Sequence, residues 1–142
     1  MSGGGIDLRQ LADLEAPDIA AISALAEEAF AGLPENFRAL CADLVIRVEE
    51  FPADDVLDEL RAESEFDILG LFQGVGLAAA EATPPTGRMP NAVFLYRRPI
   101  LDYWAEHRET LGALVTHVLV HEIGHHFGLS DADMAAIEAK AG

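Results

Sequence analysis

The chain has 142 residues, 51% hydrophobic and 24% charged, and its 9 Lys+Arg against 25 Asp+Glu give a formal net charge of −16 with histidines neutral. This balance describes one globular domain able to bury a core and excludes a disordered tail, while the acidity opposes contact with a nucleic-acid backbone or an anionic membrane surface. Cys41 has no second cysteine to pair with, which excludes an internal disulfide and any Cys-based zinc site and makes a reducing cytoplasm the expected compartment.

The opening MSGGGIDLRQ lacks a basic segment followed by an apolar stretch, so no secretory signal is expected. No apolar run approaches the roughly 18 residues of a membrane span. Residues 1–16 read as a flexible N-terminal arm on which Leu11 and Leu14 dock loosely, and residues 17–142 as one domain. Pro17 and Asp18 open a helix whose Ile19, Ile22, Leu25, Ala26 and Ala29 form one apolar stripe, ended by Gly32. A second short helix follows Pro34 with Phe37, Leu40 and Cys41 on one side; Cys41 reads there as a small buried hydrophobe.

Residues 44–51 alternate Leu44, Ile46 and Val48 with Arg47 and Glu49, the period-two pattern of a strand with one wet face. One or two helical turns are expected over 54–61. Residues 68–75 and 92–97 are short apolar runs that read as buried strands, joined by the Pro-rich surface loop AEATPPTGRMPN. Pro99 starts a helix to about Glu106. Residues 111–127 form a long helix, apolar nearly all round and therefore central; Gly128 terminates it, and 131–139 make a closing helix.

All five histidines fall between His107 and His126. His121 and His125, in HEIGHHFGLSD, stand four residues apart, so both imidazoles project from one side of the helix and can converge on one ion at a Zn–N distance of about 2.0–2.1 Å. Glu122 lies about a quarter-turn round and reaches a water on that ion without ligating it. Two imidazoles and a carboxylate left unpaired in so apolar a helix would be costly, and a metal satisfies them. Gly128 permits the positive φ that turns the chain back, which places Asp131 as a third donor or as the N-cap of the last helix.

This segment resembles the zincin motif HExxHxxGxxD, and the chain resembles the small bacterial minimal zincin family of zinc metallopeptidases. Beyond HEIGHHFGLSD, the ILGLFQGV and AVFLYRRPI segments extend the likeness from about Phe37 to the C-terminus. The resemblance implies His121, His125 and Asp131 as zinc ligands and Glu122 as catalytic base. It also implies an α+β, zincin-like fold with a small mixed β-sheet packed against a buried active-site helix and further helices. Met134 is too close to Asp131 for the methionine turn of the larger metzincins, which favours the minimal family. Glu138, on the closing helix, is a gluzincin-like alternative for the third ligand.

The expected activity is hydrolysis of peptide bonds in a peptide or protein substrate: zinc lowers the pKa of its bound water towards about 7 and polarises the carbonyl, while Glu122 passes the proton to the leaving amine. Tyr96, Tyr103 and His126 are candidate oxyanion donors, although each reads as structural: Tyr96 in a buried strand, Tyr103 in a core helix, His126 pointing away from the His121/His125 face. By resemblance to zincins, the strand over 92–97 would receive the peptide by strand addition. Arg97 and Arg98 read as partners of nearby carboxylates, with attraction of a substrate carboxylate as the alternative. His117 reads as a buried histidine bonded to backbone, with support of the metal ligands as the alternative, and His107 as exposed at a helix start. A zinc-stabilised binding module without catalysis is the competing function. Zinc-dependent RNA hydrolysis is opposed by the charge.

Overall fold

In the computed structural model, which describes residues 5, 7–41, 43–74 and 91–141, a three-stranded mixed sheet lies against one central helix. β1 (Val45–Glu49) pairs in parallel with β3 (Ala92–Tyr96), and β2 (Gly70–Gln73) pairs antiparallel with the other side of β3, giving the order β1-β3-β2. The AVFLY run of β3 is rich in β-branched and aromatic residues and is mostly buried, as a middle strand covered on both faces requires. β1 keeps the wet face its alternation predicts, with Arg47 and Glu49 exposed. β2 is shorter than the predicted 68–75.

The helices begin and end where local chemistry satisfies their free backbone groups. α1 (Leu8–Ala12) is capped by Asp7 but buries no residue; Leu8, Leu11 and Leu14 are all exposed, so the expected docking of Leu11 and Leu14 is absent. α2 (Ile19–Ala31) starts at Asp18, whose carboxylate accepts from the Ala21 N–H at 2.7 Å, and stops at Gly32; Ile22 and Ala26 are its buried stripe. α3 (Glu35–Arg38) runs into a 3-10 turn, Ala39–Cys41, and buries Phe37 and Cys41. α4 (Asp54–Glu59) follows β1. α5 (Arg97–Glu106) leaves β3 directly, two residues before Pro99, because a proline in the first helical turn forfeits no intrahelical bond.

α6 (Leu111–His126) holds the molecule together. Its Leu114, Val115, Val118 and Leu119 pack with Ala26 of α2, Val93 and Leu95 of β3 and Ile100 of α5. Val120 and Ile123 pack into a second cluster with Leu33, Phe37, Cys41 and Met134, the last from α7 (Asp131–Lys140). With two sides committed to core, one stripe stays open, formed by Ala113, His117 and His125 exposed and His121 half-buried at intervals of four. The stripe that carries the histidines is the one the core leaves over. The predicted loop over 80–91 falls almost wholly on residues outside those described.

Candidate metal centre

The end of α6 determines what faces its histidines. Gly128 adopts φ +77°, the Leu129 N–H donates to the Gly124 carbonyl at 2.9 Å, and the Gly128 N–H donates to the His125 carbonyl at 3.2 Å. These two bonds form a Schellman closure, with Leu129 folding onto the cluster that contains Ile123. Ser130 then caps α7: its hydroxyl accepts from the Asp133 N–H at 3.1 Å while the Asp133 carboxylate accepts from the Ser130 N–H at 3.3 Å. The capping alternative for Asp131 is thereby corrected, since Ser130 holds that role and Asp131 is the first helical residue, exposed.

α7 runs back along α6. Gly124 leaves room for Met134, whose sulfur would stand 2.5 Å from a Cβ at that position, and further along α7 Glu138 reaches His117 and His121. Asp131, Met134 and Glu138, spaced by three and four, fall on one side of α7, and of these Met134 and Glu138 meet α6.

On the open stripe the imidazoles form a ladder: ring centroids are 3.9 Å apart between His117 and His121 and 5.6 Å between His121 and His125. Glu138 covers the first half, with Oε1 2.9 Å from His117 Nδ1 and Oε2 3.4 Å from His121 Nε2. Among the described residues, these three are the group whose ligand atoms all lie within 4.8 Å of one another; His121, His125 and Asp131 are not drawn together that closely. His117 was expected to be buried and bonded to backbone, and both expectations are corrected: the side chain is half exposed and its partner is a carboxylate on another helix. The signal in the sequence was the third histidine at i−4 from His121 together with Glu138 seven residues after Asp131.

Glu122 stands apart from this exposed set. It is half-buried, and a Cβ at Gly70 of β2 would lie 3.3 Å from its Cγ. Burial raises its carboxyl pKa above the ordinary value, with His125 opposing the rise. A carboxylate that holds its proton more readily than a solvated one, beside two imidazoles, is suited to taking and returning a proton.

The remaining predicted residues sort clearly. Tyr96 is buried, and desolvation, followed by Glu49, Asp55 and Glu122, pushes its phenol up to about 12. Tyr103 is exposed, not in the core, and stacks on His107 at 3.7 Å. His107 follows the last turn of α5 and not the start of a helix, with Nδ1 2.6 Å from the Tyr103 carbonyl oxygen. His126 points inward, its ring 4.1 Å from that of Phe72, and burial lowers its pKa. Arg97 pairs with Glu50 at 2.9 Å and donates to the Pro17 carbonyl, while Arg98 lies over the Phe51 ring. β3 is bonded on both sides, so it cannot take a further strand, which overturns the expectation that it receives the peptide.

The chain matches the family model described as zincin-like metallopeptidase over residues 41–141, more than half its length and containing the whole sheet, α6 and α7. No curated protein matches it.

Proposed function

Because this chain belongs to the zincin-like metallopeptidase family, we propose that it is a zinc-dependent peptidase in which His121, His125 and Asp131 hold the ion and Glu122 is the general base. The observation that carries the reading is the separation of roles on α6: two imidazoles one turn apart on the open stripe, and between them a half-buried carboxylate with a raised pKa. Asp131 supports it from the other helix, since it shares a face with Met134 and Glu138, both of which meet α6. Imidazole and carboxylate donors suit zinc.

When bound, zinc supplies Lewis-acid polarisation of a carbonyl and makes a water acidic near neutral pH. Glu122 takes the proton of the attacking water and delivers it to the leaving amine. Its raised pKa serves both halves, because the carboxyl must accept readily and then give the proton up. β2 is an edge strand, unpaired on its outer side among the described residues, and Gly70 brings it against Glu122. An extended peptide added along β2 would lie beside the base, in place of the β3 addition that the fold forbids. The substrate is a peptide or protein. The strongly acidic chain disfavours nucleic acid, and no helix among the described residues is long and apolar enough to cross a membrane. We place its action in the cytoplasm on the absence of a second cysteine.

The test is elemental analysis for zinc followed by comparison of the wild type with Glu122→Gln on a mixed-peptide library. Both should bind zinc, and the variant should cut about 10²- to 10⁴-fold more slowly. If both bind zinc and neither cuts, the metal only braces the C-terminal helix and the chain is a binding module.

A further inference from the structure

We infer that His117, His121 and Glu138 form a second site for a divalent first-row cation, distinct from the HExxH ligand set but sharing His121 with it. The three side chains come from two helices, and their ligand atoms all lie within 4.8 Å of one another. Two donors about 2.0–2.1 Å from a tetrahedral zinc ion are separated by roughly 3.3 Å. The His121 Nε2 to Glu138 Oε2 distance is 3.4 Å, too long for a strong hydrogen bond and close to that tetrahedral edge. His117 Nδ1 lies 2.9 Å from the other oxygen of the same carboxylate, so a small carboxylate rotation opens a three-donor face. The donor set of two imidazoles and one carboxylate selects zinc, cobalt or nickel over magnesium or calcium. His117 is half exposed and the other two side chains are a quarter exposed, which gives an ion a way in.

The sharing of His121 rests on the proposed zinc reading of the motif; the second site itself does not. His121 faces Glu138 through Nε2; on the proposed reading the motif ion takes that same atom, and one ring nitrogen cannot serve two ions, so the two positions fill alternatively. Because each takes a single ion, raising the zinc concentration fills both in constant ratio, and their relative affinity alone decides the distribution. His121 is then a pivot between an ion held towards His117 and Glu138 and one held towards His125 and Asp131.

The experiment is titration of the metal-free full chain with cobalt(II), then zinc(II) in competition with a chromophoric chelator. The double variant His125→Ala/Asp131→Asn removes the motif set at two exposed positions. It should still bind one equivalent of cobalt, with visible absorption bands of a low-symmetry site. Adding either His117→Asn or Glu138→Gln to that background should weaken binding about tenfold or more. Unchanged far-ultraviolet circular dichroism verifies that each variant is folded. The inference is overturned if the double variant binds no cation, if the added substitutions weaken binding by less than tenfold, or if the wild type binds two equivalents at once. The titration reads binding and the mixed-peptide assay reads turnover, so a chain that binds cations in this pattern yet cleaves nothing sinks the peptidase reading alone. An active wild type whose double variant is silent sinks only the second site.

Discussion

Gly70 of β2 lies directly against Glu122 of α6. A Cβ at Gly70 would stand 2.7 Å from Val118 Cγ1, 3.1 Å from the Phe94 carbonyl oxygen and 3.3 Å from Glu122 Cγ. β2 and the Glu122 carboxylate are therefore positioned by one missing methyl group.

Gly70→Ala should accordingly do more than destabilise. The Phe94 oxygen is backbone and cannot step aside, so either the β2–β3 pairing or the β2–α6 contact opens, at a cost of about 1–3 kcal/mol. On the proposed peptidase reading, displacing Glu122 by even about 1 Å should lower turnover up to roughly 10²-fold. Urea denaturation and turnover corrected for folded fraction check both effects. A variant with native turnover per folded molecule would mean that Val118 alone absorbs the methyl group.

The second close contact, Gly124 against Met134, sets the distance between α6 and α7. In an exposed helix interior, Gly→Ala gains up to about 1 kcal/mol. Here the new Cβ would meet Met134 Sδ at 2.5 Å and Cγ at 2.8 Å, inside a fully buried cluster. Gly124→Ala should therefore destabilise by about 1–2 kcal/mol. Met134→Ala alone should cost about 2–5 kcal/mol through the cavity it leaves. Combined, the two should cost less than their sum by about 1 kcal/mol or more, because the new methyl group occupies the emptied space. Chemical denaturation of the four proteins in the cycle measures that coupling.

Much of this architecture was legible locally. The α2 stripe with its Asp18 cap, the apolar α6 and the turn at Gly128 all follow from residues within a few positions of one another. The strand order did not. Strands of four and five residues carry too little pattern to say which is central, and β3 follows β2 in the chain yet sits between β2 and β1. The same limit separates the two halves of the histidine ladder. HExxH is a short-range motif, whereas the His117–Glu138 contact spans 21 residues and depends on how the Schellman turn aims α7. His107 was misplaced for a related reason: α5 ends where Trp104 turns its indole N–H to the Glu109 carbonyl, a closure no periodicity announces. Asp131 lies between these cases, since its spacing is local but its reach depends on the turn.

Cys41 makes the alkaline limb of stability testable. Burial, with Asp43 adding to it, pushes the thiol up to about 11 from 9.0, so the folded state resists forming the thiolate. An acid whose folded pKa is raised contributes stability present below the unfolded pKa and lost as pH rises through the folded one. The loss should therefore run from about pH 9 to about pH 11. Equilibrium unfolding of the wild type and Cys41→Ala at intervals across that window should show a steeper decline in the wild type. Iodoacetamide at pH 8 should leave the folded thiol untouched and label it once urea unfolds the chain.

Zinc should protect α7, and where it does so separates coordination across two helices from simple capture by a histidine ladder. His117, His121 and His125 all lie on α6, and a ladder at i, i+4 spacing can hold an ion with no help from elsewhere. In that case zinc would stiffen only the last turns of α6, and α7 would exchange its amide hydrogens as fast as before. Ligation by Asp131 or Glu138 instead ties α7 to α6, and exchange of amides in Asp131–Lys140 should slow when zinc is added. At a free concentration of one hundred times the dissociation constant the global gain is about 2.7 kcal/mol, seen as a rise in melting temperature that a chelator reverses. Asp131→Asn/Glu138→Gln should abolish the slowing in α7 while leaving weaker binding on α6. Unchanged α7 exchange in zinc-saturated wild type would remove both carboxylates from the coordination shell and leave the histidines as an open surface ladder.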